Sequence, residues 1–230
     1  CHPGRRKMTF SLVARCARTG QFGMVISSSS PAVAARCAHV RAGVGVVASQ
    51  NITDPARGPL ILDRLEAGMS APDALQAVTE GRAFIDYRQL LVVDREGRTA
   101  IHSGGQVLGT WGEARGKDCA AGGNLLDNPG IPAAMVAAFE GSKGHLGERL
   151  MQALEAGLAA GGEAGPVHSA GLKIADRLSW PLADLRIDWA DDPIGMLRAA
   201  WDTYAPQMGA YVQRAEDPTQ APSYGVPGDE

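Results

Sequence analysis

Hydrophobic and polar positions alternate along this chain with two different periods, and the switches between them mark its elements. Over 8–30 the period is two. Phe10, Leu12 and Ala14 alternate with Thr9, Ser11 and Val13, and Phe22, Met24 and Ile26 repeat the pattern beyond a turn at 17–20. Alternation on both sides of a short turn ending in glycine predicts a β-hairpin, with Gly20 supplying a positive φ. The apolar run Val44, Val46, Val47 and Ala48 predicts a buried strand over 42–50. Leu60, Ile61, Leu62 and Leu65 share a helical face, so a helix is predicted over 60–67, ended by Gly68. Ser70 is placed to cap a second helix whose apolar side is Ala74, Leu75 and Val78.

Strand periodicity returns over 87–94 and 98–103, joined by a turn at 95–97. A small-residue strand over 118–127, helices over 131–140 and 146–160, and strands over 167–175 and 183–189 follow. A last helix starts at Pro193, with Pro206 as its kink or break. Strands joined as hairpins and helices arriving in pairs predict antiparallel sheets with helices outside, not a doubly wound parallel sheet. Residues 1–7 carry three consecutive cations, a proline and a glycine without an apolar anchor. The expected organisation is therefore an extension over 1–8 outside the fold, one domain over 9–216, and a Pro- and Gly-rich tail over 217–230.

Composition narrows the function classes. A net charge of −3 and 5% aromatic residues give no reason to expect a nucleic acid or an anionic membrane as partner. The four cysteines are scattered without a CxxC pair, which reads as thiols in a reducing compartment. No apolar run reaches membrane-span length, so a cytoplasmic location is expected. The histidines form no HxH or HExxH pattern, and neither a GxSxG elbow nor a P-loop occurs; no metal and no cofactor are expected. Gly43 and Gly45 are only a fragment of a dinucleotide fingerprint. Trp111, Trp180, Trp189 and Trp201 fall outside the leading strands, and tryptophan favours interfaces, so a homo-oligomer using the C-terminal part is expected.

Candidate chemistry gathers at strand ends. Thr9 follows Met8 at the head of the first strand; cleavage of that bond would leave its hydroxyl beside a free α-amine, an activated-nucleophile arrangement. The competing reading is a β-branched residue beginning a strand. Cys1 is a weaker candidate, on a polar arm. Gln50 and Asn51 close the third predicted strand with two amides, able to orient substrate, stabilise an oxyanion or satisfy a turn. Arg88 is either half of a structural ion pair or the clamp for a substrate carboxylate. Gly122 and Gly123 allow close backbone approach, with Asn124 as an amide donor beside them. His102 and Ser103 are adjacent and so point to opposite faces of their strand.

Six motifs in order carry a family resemblance: Met8-Thr-Phe-Ser-Leu-Val-Ala-Arg, Ala42-Gly-Val-Gly-Val-Val-Ala-Ser-Gln-Asn, Asp54-Pro-x-x-Gly-Pro, Tyr87-Arg-Gln-x-x-Val-Val-Asp, Gly123-Asn-Leu-Leu and Asp184-Leu-Arg-Ile-Asp. Together they resemble the domain-of-unknown-function 1028 family, grouped with the N-terminal-nucleophile (Ntn) hydrolases. The resemblance implies an α+β fold, a four-layer α-β-β-α sandwich of two antiparallel sheets. It places the family's opening Thr on Thr9, its Gln-bearing strand end on Gln50, its Arg-Gln pair on Arg88 and Gln89, and its Gly-Asn on Gly123 and Asn124. Where the family commonly has an acid or polar residue, this chain reads Trp189-Ala-Asp. The implied function is hydrolysis of a small-molecule amide, an acylated amino acid or ureido compound. Thr9, Asn124 and Gln50 would be catalytic, and Arg88, Asn51 and Gly123 would bind substrate. The alternative is a catalytically silent protein of the same fold that binds a metabolite or assembles with a partner.

Overall fold

In a computed structural model, which describes residues 9–228, the alternation of the first hairpin becomes the centre of the molecule. Strands β1 (Thr9–Arg15) and β2 (Phe22–Ser28) pair antiparallel, Thr9 facing Ser28. Helix α1 (Val33–Cys37) and strand β3 (Ala38–Arg41) lead to β4 (Gly45–Asn51). Helices α2 (Arg57–Glu66) and α3 (Ala71–Thr79) come next, then β5 (Arg88–Asp94), β6 (Thr99–Ser103), β7 (Gly112–Gly116) and β8 (Cys119–Asn124). Helices α4 (Ile131–Gly141) and α5 (Leu146–Ala159), strands β9 (Ser169–Ala175) and β10 (Ala183–Ile187), and helices α6 (Pro193–Tyr204) and α7 (Met208–Glu216) complete the order.

The strands form a six-stranded sheet, β10-β9-β2-β1-β8-β7, and a four-stranded sheet, β3-β4-β5-β6, both antiparallel throughout. Three buried clusters separate four layers. Phe10, Leu12 and Ala14 of β1 pack under α4, α5 and α6, against Met135, Phe139, Leu150 and Leu197. Val13, Met24 and Ile26 face Val46, Ala48, Leu91 and Val93 between the sheets. Val47, Leu90 and Val92 take the outer face of the smaller sheet, under Ile61, Leu65 and Leu75 of α2 and α3. The fold is thus the α-β-β-α sandwich of two antiparallel sheets, with the hairpin central. Because β1 is buried on both faces, a one-residue slip would move Phe10 and Leu12 into the inter-sheet layer.

Several differences from the sequence pattern have local causes. Helix α2 begins before Pro59, which fits because a first-turn proline forfeits no intrahelical hydrogen bond. Pro206 breaks the last helix into α6 and α7. The short edge strands β3 and β7 lack a long alternating run, so their sequences do not announce them. Trp201 is not at the surface: it is buried against Gly147, with its indole N–H donating to Glu148 at 3.2 Å. Trp111, Trp180 and Trp189 remain exposed. Cys16, Cys37 and Cys119 are buried free thiols. No described helix is long and apolar enough to cross a membrane. The expected extension over 1–8 and Cys1 lie outside the described residues.

A candidate active site at one end of the sandwich

Residues directly opposite in antiparallel strands share a face. Asn124 faces Thr9, Thr9 faces Ser28, and Ser28 faces Ser169, so four polar side chains form one rung across β8, β1, β2 and β9. This rung looks into the inter-sheet layer, because Ser11, two residues on from Thr9, donates its hydroxyl to Gln50 of the other sheet at 2.6 Å. The smaller sheet answers with a second rung, Gln50, Gln89 and Ser103 on β4, β5 and β6. Polar ends of two sheets therefore meet where the apolar layer stops.

Thr9 is 7% exposed, and its hydroxyl donates to Ser28 Oγ at 3.2 Å. Ser28 Oγ lies 2.9 Å from Ser30 Oγ and also receives the Ser30 backbone N–H at 3.0 Å. Arg36 donates to Ser30 Oγ at 3.0 Å, so the hydroxyl series ends at a cation. Among the described residues, no histidine, lysine or carboxylate hydrogen-bonds the Thr9 hydroxyl.

Gln89 ties the rungs together. Its Oε1 accepts from Gln50 Nε2 at 2.9 Å and from Asn124 Nδ2 at 3.5 Å. Its own amide donates to Ser103 Oγ at 3.1 Å and to the Gly123 carbonyl at 3.4 Å. Gln50 is fully buried and engaged with Ser11 and Gln89, so it meets Thr9's neighbours and not Thr9. Asn124 stands directly across from Thr9. A Cβ on Gly123 would lie 2.7 Å from Leu126 Cδ2 and 3.0 Å from the Thr9 carbonyl, so this glycine lets β8 close on the head of β1.

Asn51 and Arg88 face each other where β4 and β5 pair, but they make no hydrogen bond to the Thr9 cluster among the described residues. Asn51, at φ 73°, donates to the Tyr87 carbonyl at 2.6 Å and accepts from Leu108 N–H at 3.3 Å. Arg88 donates to the Ile52 carbonyl, and no carboxylate among the described residues pairs with it. Both hold loops at the rim. Leu125, directly after Asn124, also has a positive φ, 53°. A left-handed non-glycine residue thus follows each of the two amides Gln50 and Asn124, a strained arrangement that functional sites retain.

The sequence does not single out Ser28, Glu163 or His168, and it marks Gln89 only through the family's Arg-Gln pair. Ser28 and Gln89 acquire their places from register. Glu163 lies in the loop before β9, where both carboxylate oxygens accept the Ser29 N–H at 3.1 and 3.0 Å. Burial pushes its pKa up to about 8, only partly countered by the Ser29 hydrogen bond, so near neutrality it is largely the uncharged acid. His168, beside Ser169, stacks on Trp189 with ring centroids 4.4 Å apart; its Nδ1 lies 3.1 Å from the Ala190 carbonyl, and Nε2 is buried without a hydrogen-bond partner among the described residues.

Residues 9–197 match the model of a family of unknown function, DUF1028. Among solved structures, protein SPO2555 from Silicibacter pomeroyi, described with the same family model, is similar with a TM-score of 0.80 and 28% identity, over 86% of this chain and 89% of that one. Anbu (ancestral beta-subunit) from Yersinia bercovieri aligns with a TM-score of 0.39 and 11% identity, over 88% of this chain and 97% of that one. No curated protein matches significantly.

Proposed function

The chain belongs to the DUF1028 family, a family of unknown function, and from the surroundings of Thr9 we propose that it is an N-terminal-nucleophile amidohydrolase acting on a small-molecule amide. The observation that carries this reading is the isolation of the Thr9 hydroxyl from any side-chain base among the described residues, its described partner being Ser28. A threonine hydroxyl is a weak nucleophile unless a base takes its proton. Here the group that can serve is the residue's own α-amine, whose ordinary pKa of roughly 8 leaves a useful neutral fraction near pH 7. The amine exists only once the Met8–Thr9 bond is cut; until then the nitrogen is an amide with no basic lone pair.

In the cleaved chain, Thr9 Oγ1 attacks the substrate carbonyl while its α-amine takes the proton. The amine then returns that proton to the leaving nitrogen as the tetrahedral intermediate collapses to an ester on Thr9. Water, activated by the same amine, hydrolyses the ester. Asn124 stabilises the oxyanion, with Gly123 keeping β8 close. Gln50 acts through Ser11 and Gln89, holding the amides in place. Asn51 and Arg88 shape the rim, where Arg88 meets a substrate carboxylate. The substrate class is an acylated amino acid, a ureido acid or a simple amide.

The second reading, a silent protein of this fold that binds a metabolite or a partner, draws support from Met8 preceding Thr9 in the sequence. The test is a screen of those three amide classes on the full chain and on a chain beginning at Thr9. Turnover by the shortened chain alone supports the hydrolase. Equal turnover by both removes the amine from the mechanism, and none by either favours the silent reading.

A further inference from the structure

At the opposite end of the hairpin lies a cavity of about 510 Å³ that the amidase reading does not use. It borders Arg15 and Cys16, where β1 runs out, about 20 Å along the strand from Thr9 at the usual rise per residue. Arg18, Lys117, Lys143 and Arg149 complete its cationic lining, against the carboxylates of Asp118 and Glu140. Five cations facing two carboxylates leave three positive charges uncompensated, in a chain whose net charge is −3.

Both carboxylates are already engaged. Asp118 Oδ1 accepts from Arg15 at 2.8 Å, and Glu140 Oε1 accepts the Lys117 backbone N–H at 2.7 Å. Arg149 is held without a carboxylate partner among the described residues. Its guanidinium lies 4.0 Å from the centre of the Phe139 ring and donates to the Phe139 carbonyl at 3.2 Å and to Ser142 Oγ at 3.4 Å. That fixes a cation at the cavity wall before any ligand arrives, so little ordering entropy remains to be lost on binding. The ammonium groups of Lys117 and Lys143 have no ion-pair partner among the described residues, and both residues are exposed.

We propose that this cavity binds a small molecule bearing phosphate groups, through Arg15, Arg149, Lys117 and Lys143. Cations on three separate segments (β1 and its turn, the β7–β8 turn, and the α4–α5 connection with α5) approach from different sides. That suits a tetrahedral, multiply charged oxyanion better than a planar carboxylate, which one guanidinium fork satisfies. The volume is that of a small-ligand pocket. The Cys16 thiol lines the same cavity. Burial raises its pKa, but hydrogen bonding with Thr19 and Arg18 and the charge of Arg149 bring it below the ordinary cysteine value.

The test uses pyrophosphate as probe, titrated calorimetrically into the full chain at low salt, beside the double variant K117E/K143E. These exposed substitutions leave the core and the Thr9 rung untouched, and an unchanged melting temperature without ligand verifies that. Saturable one-to-one binding by the parent, weakened at least tenfold in the variant, is expected. Absence of binding at millimolar pyrophosphate, or equal affinity in both proteins, would overturn the assignment. Sedimentation with phosphatidic acid vesicles separates a soluble phosphate from a lipid headgroup; vesicle binding without pyrophosphate binding also overturns it.

Discussion

What Thr9 can do depends on its immediate neighbours, and each is open to substitution. With Asn124 as the oxyanion donor, Asn124→Ala in a chain beginning at Thr9 is expected to lower kcat by about a hundredfold, with a smaller change in KM. Steady-state kinetics check this, and a change confined to KM would assign Asn124 to binding instead. Glu163 gives a prediction independent of activity. Its folded pKa, about 8, lies above the unfolded value near 4.5, so the folded state binds the proton more tightly. The stabilisation is fully present below the unfolded pKa and is lost as pH rises towards the folded one. Over that window the loss is about 1.4 kcal/mol per pH unit at most. Denaturant unfolding of Glu163→Gln at pH 5 and pH 8 is expected to show a flatter profile than the parent, with the relative gain at pH 8.

At the scale of the element, strand spacing is the quantity to perturb. Gly123→Ala puts a methyl group 2.7 Å from Leu126 and 3.0 Å from the Thr9 carbonyl. We expect a loss of roughly 1–3 kcal/mol, the usual range for overpacking, measurable as a lower denaturation midpoint. Much of this arrangement was legible beforehand. The hairpin and the helix pairs follow from period, caps and turn residues, which are local, whereas the four-layer sandwich is implied by the family resemblance. Even the Thr9–Ser28 pairing was available, since a turn centred between Arg18 and Thr19 places those residues opposite one another. The partners of Gln89 were not, because they come from β4, β6 and β8, whose approach to it is a property of the closed sandwich. Edge strands β3 and β7 escaped for a related reason: each is too short for alternation to stand out. Asn51 and Arg88 each neighbour a residue of the second rung, and because neighbours along a strand face opposite ways they hold the rim loops and do not join that rung.

Across the whole molecule, the two ends of the central hairpin differ in chemistry: neutral amides and hydroxyls at Thr9, uncompensated cations beyond Arg15. The exposed indoles of Trp180 and Trp189 motivate the expectation of a homo-oligomer, although Trp201 cannot contribute from the core. Light scattering at micromolar concentration is expected to give at least twice the 24.0 kDa chain mass; a monomer mass contradicts that expectation. The central claim, that the Thr9 hydroxyl is the nucleophile, is tested most directly by kcat/KM on one amide substrate for three chains beginning at position 9. Those chains carry Thr, Ser or Ala at that position. The account predicts full activity with Thr, a measurable fraction with Ser, and a loss of about a thousandfold or more with Ala. An Ala chain as active as the Thr chain would contradict it.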